Sequence, residues 1–134
     1  MEYCEYPTDL QELMDHHGHL CFGVLLGYKA CKYAVEIIGD SVNITAMTVN
    51  AGCGNDAVRL LLDCREENGK LLDQKGTTQS WAFYNPDEDE GVRLKLNPTL
   101  TSQLPKDKDQ ALMTLFEMPG SRVFLVEPFV MEDD

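Results

Sequence analysis

His16-His17-Gly18-His19-Leu20-Cys21-Phe22-Gly23 divides an N-terminal third that otherwise reads as helix. Upstream, Thr8-Asp9-Leu10-Gln11 has the form of a capping box, with Thr8 as N-cap and Gln11 at N3. Leu10, Leu13, Met14 and His17 follow at helical spacing, and Gly18 is a stop signal, so a first helix is predicted over about 9–17. Downstream, Val24, Leu25, Tyr28, Cys31, Val35 and Ile38 recur every three or four residues. They predict a second helix from Phe22 to Ile38, ended by Gly39-Asp40. The quoted stretch is therefore a helix–turn–helix corner. It carries three alternate residues, His17, His19 and Cys21, whose side chains are those that bind zinc and other late first-row divalent metals. If Cys21 opens the second helix, the backbone N–H groups and the macrodipole there favour its thiolate. The alternative is a corner with surface histidines and a buried cysteine.

Within the second helix, Gly23 and Gly27 lie one turn apart, with Ala30 and Ala34 further along. Glycine inside a helix costs ~1 kcal/mol relative to alanine, so the small face is expected to serve close packing, against a sheet or a second copy of the chain.

Val42 to Val49 is β-branched and alternating, which predicts a strand. Asn50-Ala51-Gly52-Cys53-Gly54-Asn55-Asp56 then makes a glycine-rich strand-to-helix turn. Ala57, Val58, Leu61 and Leu62 carry a third helix to about Cys64. Cys53 stands just before that helix, another place that favours a thiolate. Asp56 falls in its first turn, as a cap or a catalytic carboxylate. Cys64 lies 64 − 53 = 11 residues after Cys53, on the same face but roughly 16 Å away along a straight helix. Residues 55–64 contain no glycine or proline to break it. The two cysteines are therefore not expected on one metal. Cys53 is expected to join Cys21 and the histidines, and Cys64 to face a dimer mate, a second pocket or the core. Cys31 is expected in the core, and Cys4 has no ligand spacing.

Further strands are predicted over 71–75, 79–84 and 91–96, the last two flanking a solvated acidic hairpin loop, Asn85-Pro86-Asp87-Glu88-Asp89-Glu90. Asn97 to Pro105 reads as irregular, Lys106 to Glu117 as a helix ended by Pro119-Gly120, and Val123 to Val126 as a buried strand. With 134 residues and no linker, this is a single α+β domain over 1–134.

The net charge is −12, from 11 basic and 23 acidic residues, with no basic stripe, which excludes a nucleic-acid binder. No apolar run approaches the ~18–20 residues of a membrane span. The start, Met1-Glu2-Tyr3-Cys4-Glu5, lacks a signal peptide's basic and apolar regions, so the cytoplasm is expected. An odd count of five cysteines fits reduced thiols in ligand or packing roles better than a disulfide framework.

His17-Gly18-His19-Leu20-Cys21-Phe22-Gly23 with Gly27, then Cys53-Gly54-Asn55-Asp56-Ala57-Val58, then Cys64, resemble the formylmethanofuran dehydrogenase E-subunit family. The family patterns are H-G-H-x-C-P-G with a glycine four residues on, C-x-x-D-A-[IV], and a later cysteine. Phe22 replaces the proline, and Asp63 and Arg65 replace the residues that usually flank the later cysteine. Gly69-Lys70-Leu71 partly keeps the glycine-rich stretch, and Trp81-Ala82-Phe83-Tyr84 echoes an aromatic strand. The resemblance spans roughly residues 10–96.

It implies two N-terminal helices and an α-β-α-β-β-β core with a mixed sheet, followed here by a C-terminal helix and strand. It also implies a homodimer and a metal, often zinc, at His17, His19, Cys21, Cys53 and Cys64. The zinc-ribbon tail of longer members is expected to be absent, since no C-x-x-C follows. The functional expectation is a metal-binding domain with an accessory or small-molecule role linked to molybdenum or tungsten enzymes, with a component of such an enzyme as a possible partner. Two alternatives stand beside it. One is a thiol enzyme or redox sensor using Cys21 or Cys53, with His17 or His19 as base. The other is a non-catalytic dimeric assembly protein.

Overall fold

A computed structural model describes residues 7–18, 21–50, 52–76 and 79–129. Among the described residues, five helices run over Thr8–His17 (α1), Phe22–Ile38 (α2), Gly54–Leu62 (α3), Lys108–Glu117 (α4) and Gly120–Val123 (α5). The described residues also form five strands, Thr45–Val49 (β1), Leu71–Gln74 (β2), Ser80–Asn85 (β3), Glu90–Leu96 (β4) and Phe124–Pro128 (β5). They form one mixed sheet in the order β2-β1-β3-β4-β5, with β1 and β2 parallel and every other pair antiparallel. The fold is α+β, with the two N-terminal helices and the order that the resemblance implied.

The register puts Ala46, Phe83 and Val92 in one row, and Thr48, Trp81 and Leu94 in the next, all on one sheet face. All six are buried, under α2 and α3. Trp81 sets its ring edge against Phe124 of β5, with centroids 5.5 Å apart. Buried Asn85 fixes the far end of α2 to the sheet, its side-chain amide donating to the Ile38 and Gly39 carbonyls at 3.0 and 3.2 Å.

Five local readings change. The capping box does not form: α1 starts one residue early, Pro7 is its N-cap, and no side chain caps it. β1 begins at Thr45 rather than Val42, because residues 41–43 are held in a turn. There the Asn43 N–H donates to Ser41 Oγ at 3.0 Å, and Ser41 and Asn43 both donate to Asp87. One carboxylate of the acidic loop thus pins the approach to β1. In the stretch read as irregular, Leu100–Gln103 forms a 3₁₀ turn. Pro119-Gly120, read only as a stop, also starts α5, which takes in Val123. The strand read as buried over Val123 to Val126 therefore begins at Phe124, and as the sheet's edge strand it leaves Leu125 and Val126 exposed. Gly18, left-handed at φ 104°, closes α1 as its stop signal predicts. Asp107 supplies a cap that the spacing did not single out, accepting from the Gln110 N–H at 3.1 Å at the start of α4.

Among the described residues, no helix is long and apolar enough to cross a membrane.

Candidate metal centre

The centre forms where the end of α1 meets the starts of α2 and α3. Gly18 ends α1 with His17 in its last turn. Cys21 is the N-cap of α2, and its Sγ accepts the Val24 N–H at 3.5 Å. Cys53 is the N-cap of α3, after the left-handed Gly52 at φ 54°. Three elements far apart in sequence therefore point chemistry at one spot.

Glycine lets them meet. A Cβ on Gly27 would stand 2.7 Å from Gly54 Cα and 2.9 Å from its carbonyl carbon, both backbone atoms that cannot yield cheaply. A Cβ on Gly54 would meet the Gly23 oxygen at 3.1 Å and Trp81 Cζ2 at 3.4 Å. Gly23 and Gly27 therefore pack against α3 of the same chain. The small face expected to meet a sheet or a second copy is used up internally, bringing Cys53 to Cys21.

His17, Cys21 and Cys53 each offer a ligand atom within 4.8 Å of the other two. Ligand atoms on one tetrahedral zinc lie about 3.3–3.8 Å apart, so side-chain rotations of an ångström or so suffice. His17 Nε2 to Cys21 Sγ is already 3.8 Å. The other ring nitrogen, Nδ1, lies 2.7 Å from Asp56 Oδ2. With the Nδ1 proton directed at that carboxylate, Nε2 presents its lone pair to the sulfurs, the tautomer a metal needs. Asp56 is itself held. Arg59 Nη1 donates to its other oxygen at 3.1 Å, and Arg59 forks onto Glu66 at 3.1 and 2.7 Å.

The expected thiolate at Cys53 is not favoured by the residues around it. Desolvation first, then the Cys21 side chain and the Asp56 carboxylate, raise its thiol above the ordinary range. Two sulfurs beside a carboxylate repel a second and third negative charge, and a divalent cation removes that repulsion. The donor set of one imidazole nitrogen and two thiols fits a late first-row divalent ion.

Cys64, part of the implied ligand set, stands apart. α3 is unbroken from Gly54 to Leu62, about 13 Å long. Asp63 then turns left-handed at φ 54°, and Cys64 enters the core, where its Sγ–H donates to the Ile44 carbonyl at 3.1 Å. Of a dimer mate, a second pocket and the core, the structure selects the core. Burial pushes its thiol up to about 11. Cys31 is in the core, as expected. His19 and Cys4 lie outside the described residues.

Sequence reasoning left Asp56 between cap and catalyst and did not see it orienting His17, 39 residues away. The Asp56–Arg59 pair had a readable signal in its i,i+3 spacing, whereas the His17–Asp56 contact had none.

Fold and site define an α+β domain with a His/Cys/Cys group at the joint of three helices. The chain belongs to the FmdE family, whose model, described as "FmdE, Molybdenum formylmethanofuran dehydrogenase operon", matches residues 16–123. It is similar to a solved structure, a tungsten formylmethanofuran dehydrogenase FmdE-like protein from Syntrophus aciditrophicus, with a TM-score of 0.70 and 22% identity. That match covers 92% of this chain and 71% of the other, and it establishes a shared fold. No curated protein matches the chain.

Proposed function

We propose that this chain is a metal-binding accessory protein linked to a molybdenum or tungsten formylmethanofuran dehydrogenase. In this reading it binds one zinc ion through His17, Cys21 and Cys53. The observation that carries it is the convergence of those three donor atoms within 4.8 Å, with Asp56 holding the histidine in the ligating tautomer. Zinc is the metal proposed because mixed imidazole–thiolate ligands suit it and it needs no redox partner. His19, two residues before Cys21, is the candidate fourth ligand; without it the fourth position is open to water or to a small molecule. A bound zinc would supply Lewis acidity at such a position. The chain's own residues would orient the imidazole through Asp56, whose other oxygen is held by Arg59.

The link to the dehydrogenase rests on family membership and on the description of the similar crystal structure. We assign the protein to the cytoplasm on its four described cysteines, all free thiols. Pairing into a homodimer, which the resemblance implies, would need a surface other than the Gly23–Gly27 face.

Metal analysis of the purified protein tests the proposal. The expected result is about one zinc per chain, with Cys21→Ser lowering the content at least tenfold. A metal-free preparation of full stability from a zinc-replete host would falsify it.

A further inference from the structure

The same corner holds a second chemistry. Of the four described cysteines, Cys31 and Cys64 are buried, while Cys21 is half-buried and Cys53 is exposed. Cys21 and Cys53 are the two brought together, with Sγ atoms no more than 4.8 Å apart. A disulfide needs an S–S length of about 2.05 Å and a Cβ–Cβ distance of about 3.5–4.5 Å. The sulfurs must therefore approach by less than about 3 Å, which side-chain rotation covers. Cys53 is exposed and sits against the start of α2. Cys53 sits in a turn where Gly52 is left-handed and has nothing within 4 Å of its missing Cβ. A Cβ built on Gly23 would lie 3.3 Å from Cys53 Cβ, so the Cys53 side chain already leans on the start of α2.

We infer that Cys21 and Cys53 are an oxidisable dithiol, a modification site whose co-reactant is a peroxide and whose product is an intrachain disulfide joining the starts of α2 and α3. One of the two sulfurs attacks a peroxide oxygen, the O–O bond breaks, and that sulfur becomes a sulfenic acid as water leaves. The other sulfur then attacks it, the S–O bond breaks, the S–S bond forms, and a second water leaves. Two electrons pass from the thiols to the peroxide, and both thiol protons end in water. A disulfide offers no thiolate, so of the three donors only His17 remains. Oxidation and metal binding are thus mutually exclusive. This last consequence rests on the metal reading above; the disulfide itself does not.

The experiment uses the full chain, reduced, in a zinc-loaded and a metal-free portion, each titrated with hydrogen peroxide. Peptide mass mapping, free-thiol counts and zinc release to a chromogenic chelator are followed together. The expected product is about 2 Da lighter, links Cys21 to Cys53, has lost two thiols, and reverts with a dithiol reductant. In the loaded portion, one zinc is released per disulfide. Cys4→Ser should leave the link unchanged, and Cys53→Ser should abolish it. A metal-free portion that gives sulfinic acid at Cys53, or a link from Cys53 to Cys4, overturns the dithiol even if zinc binds stoichiometrically. A clean Cys21–Cys53 link in a chain that takes up no zinc supports the dithiol and instead overturns the metal reading.

Discussion

Cys53 and Cys64 sit at the two ends of α3 and have opposite fates. Cys53 is exposed at the helix start, beside Cys21, Asp56 and the end of α1. Cys64, two residues past the helix end, is sealed in the core with its thiol on the Ile44 carbonyl. The residue type is the same and the motif names both. The difference is what the neighbouring backbone brings up to each. At the start, a glycine contact draws in α2 with a second sulfur. At the end, a left-handed Asp63 turns the chain into the core beside Ile44. A thiol's chemistry here follows from its exposure and its neighbours, not from its place in a pattern.

Forcing α2 and α3 apart should erase the difference between the two ends of α3. Gly27→Leu drives side-chain atoms into the Gly54 backbone and should cost ~3 kcal/mol or more. Denaturant unfolding should show the loss, and metal binding should fall with it. Retained stability with a dissociated oligomer would instead mean that Gly27 faces a second copy of the chain.

Paired alanine variants sharpen the contrast directly. Cys53→Ala should weaken zinc binding by roughly 100-fold or more, since a ligand is lost. Cys64→Ala should leave stoichiometry intact and lower stability by about 1–2 kcal/mol, for a small cavity and an orphaned carbonyl. Equal and complete metal loss in both, with a monomeric protein, would refute the unbroken α3.

Asp56→Asn keeps the shape and removes the charge that holds the His17 proton. Zinc affinity should fall by about 10–100-fold, the usual effect of a lost orienting carboxylate, with little change in the circular dichroism. Unchanged affinity would mean that Asp56 serves only to cap α3 and hold Arg59.

The smallest effect is in pH. The folded chain keeps the Cys64 proton up to about 11, against an ordinary value of 9.0. Between these values the unfolded chain binds fewer protons than the folded one, so stability falls as pH rises. Below 9 the contribution is fully present. Cys64→Ala should flatten that part of the stability–pH curve relative to the parent; an unaltered slope would show that the thiol is not desolvated.

Local signals along the chain determined the element order. The 3.6-residue spacing of Leu10, Leu13 and Met14, and of Val24 through Ile38, sets α1 and α2. The alternation in β3 and β4 sets the hairpin. Gly18 and Gly39 end helices at positive φ, where other residues are strained. The sequence also placed Cys21 and Cys53 before helices, since a glycine-rich turn followed by helical spacing is a short-range pattern. It separated Cys53 from Cys64 by helix rise alone. Tertiary packing decided the rest. Thr8 lost its capping role because the helix could start on Pro7, and Val42 left β1 because Asp87 holds Ser41 and Asn43. No local pattern pairs Gly27 with Gly54, or His17 with Asp56, because each contact joins backbone or side chains from elements whose approach is set by the whole core. The small face of α2 was legible as a close-packing surface. Its partner was not, because a glycine stripe states that something comes near, and only the folded chain supplies what.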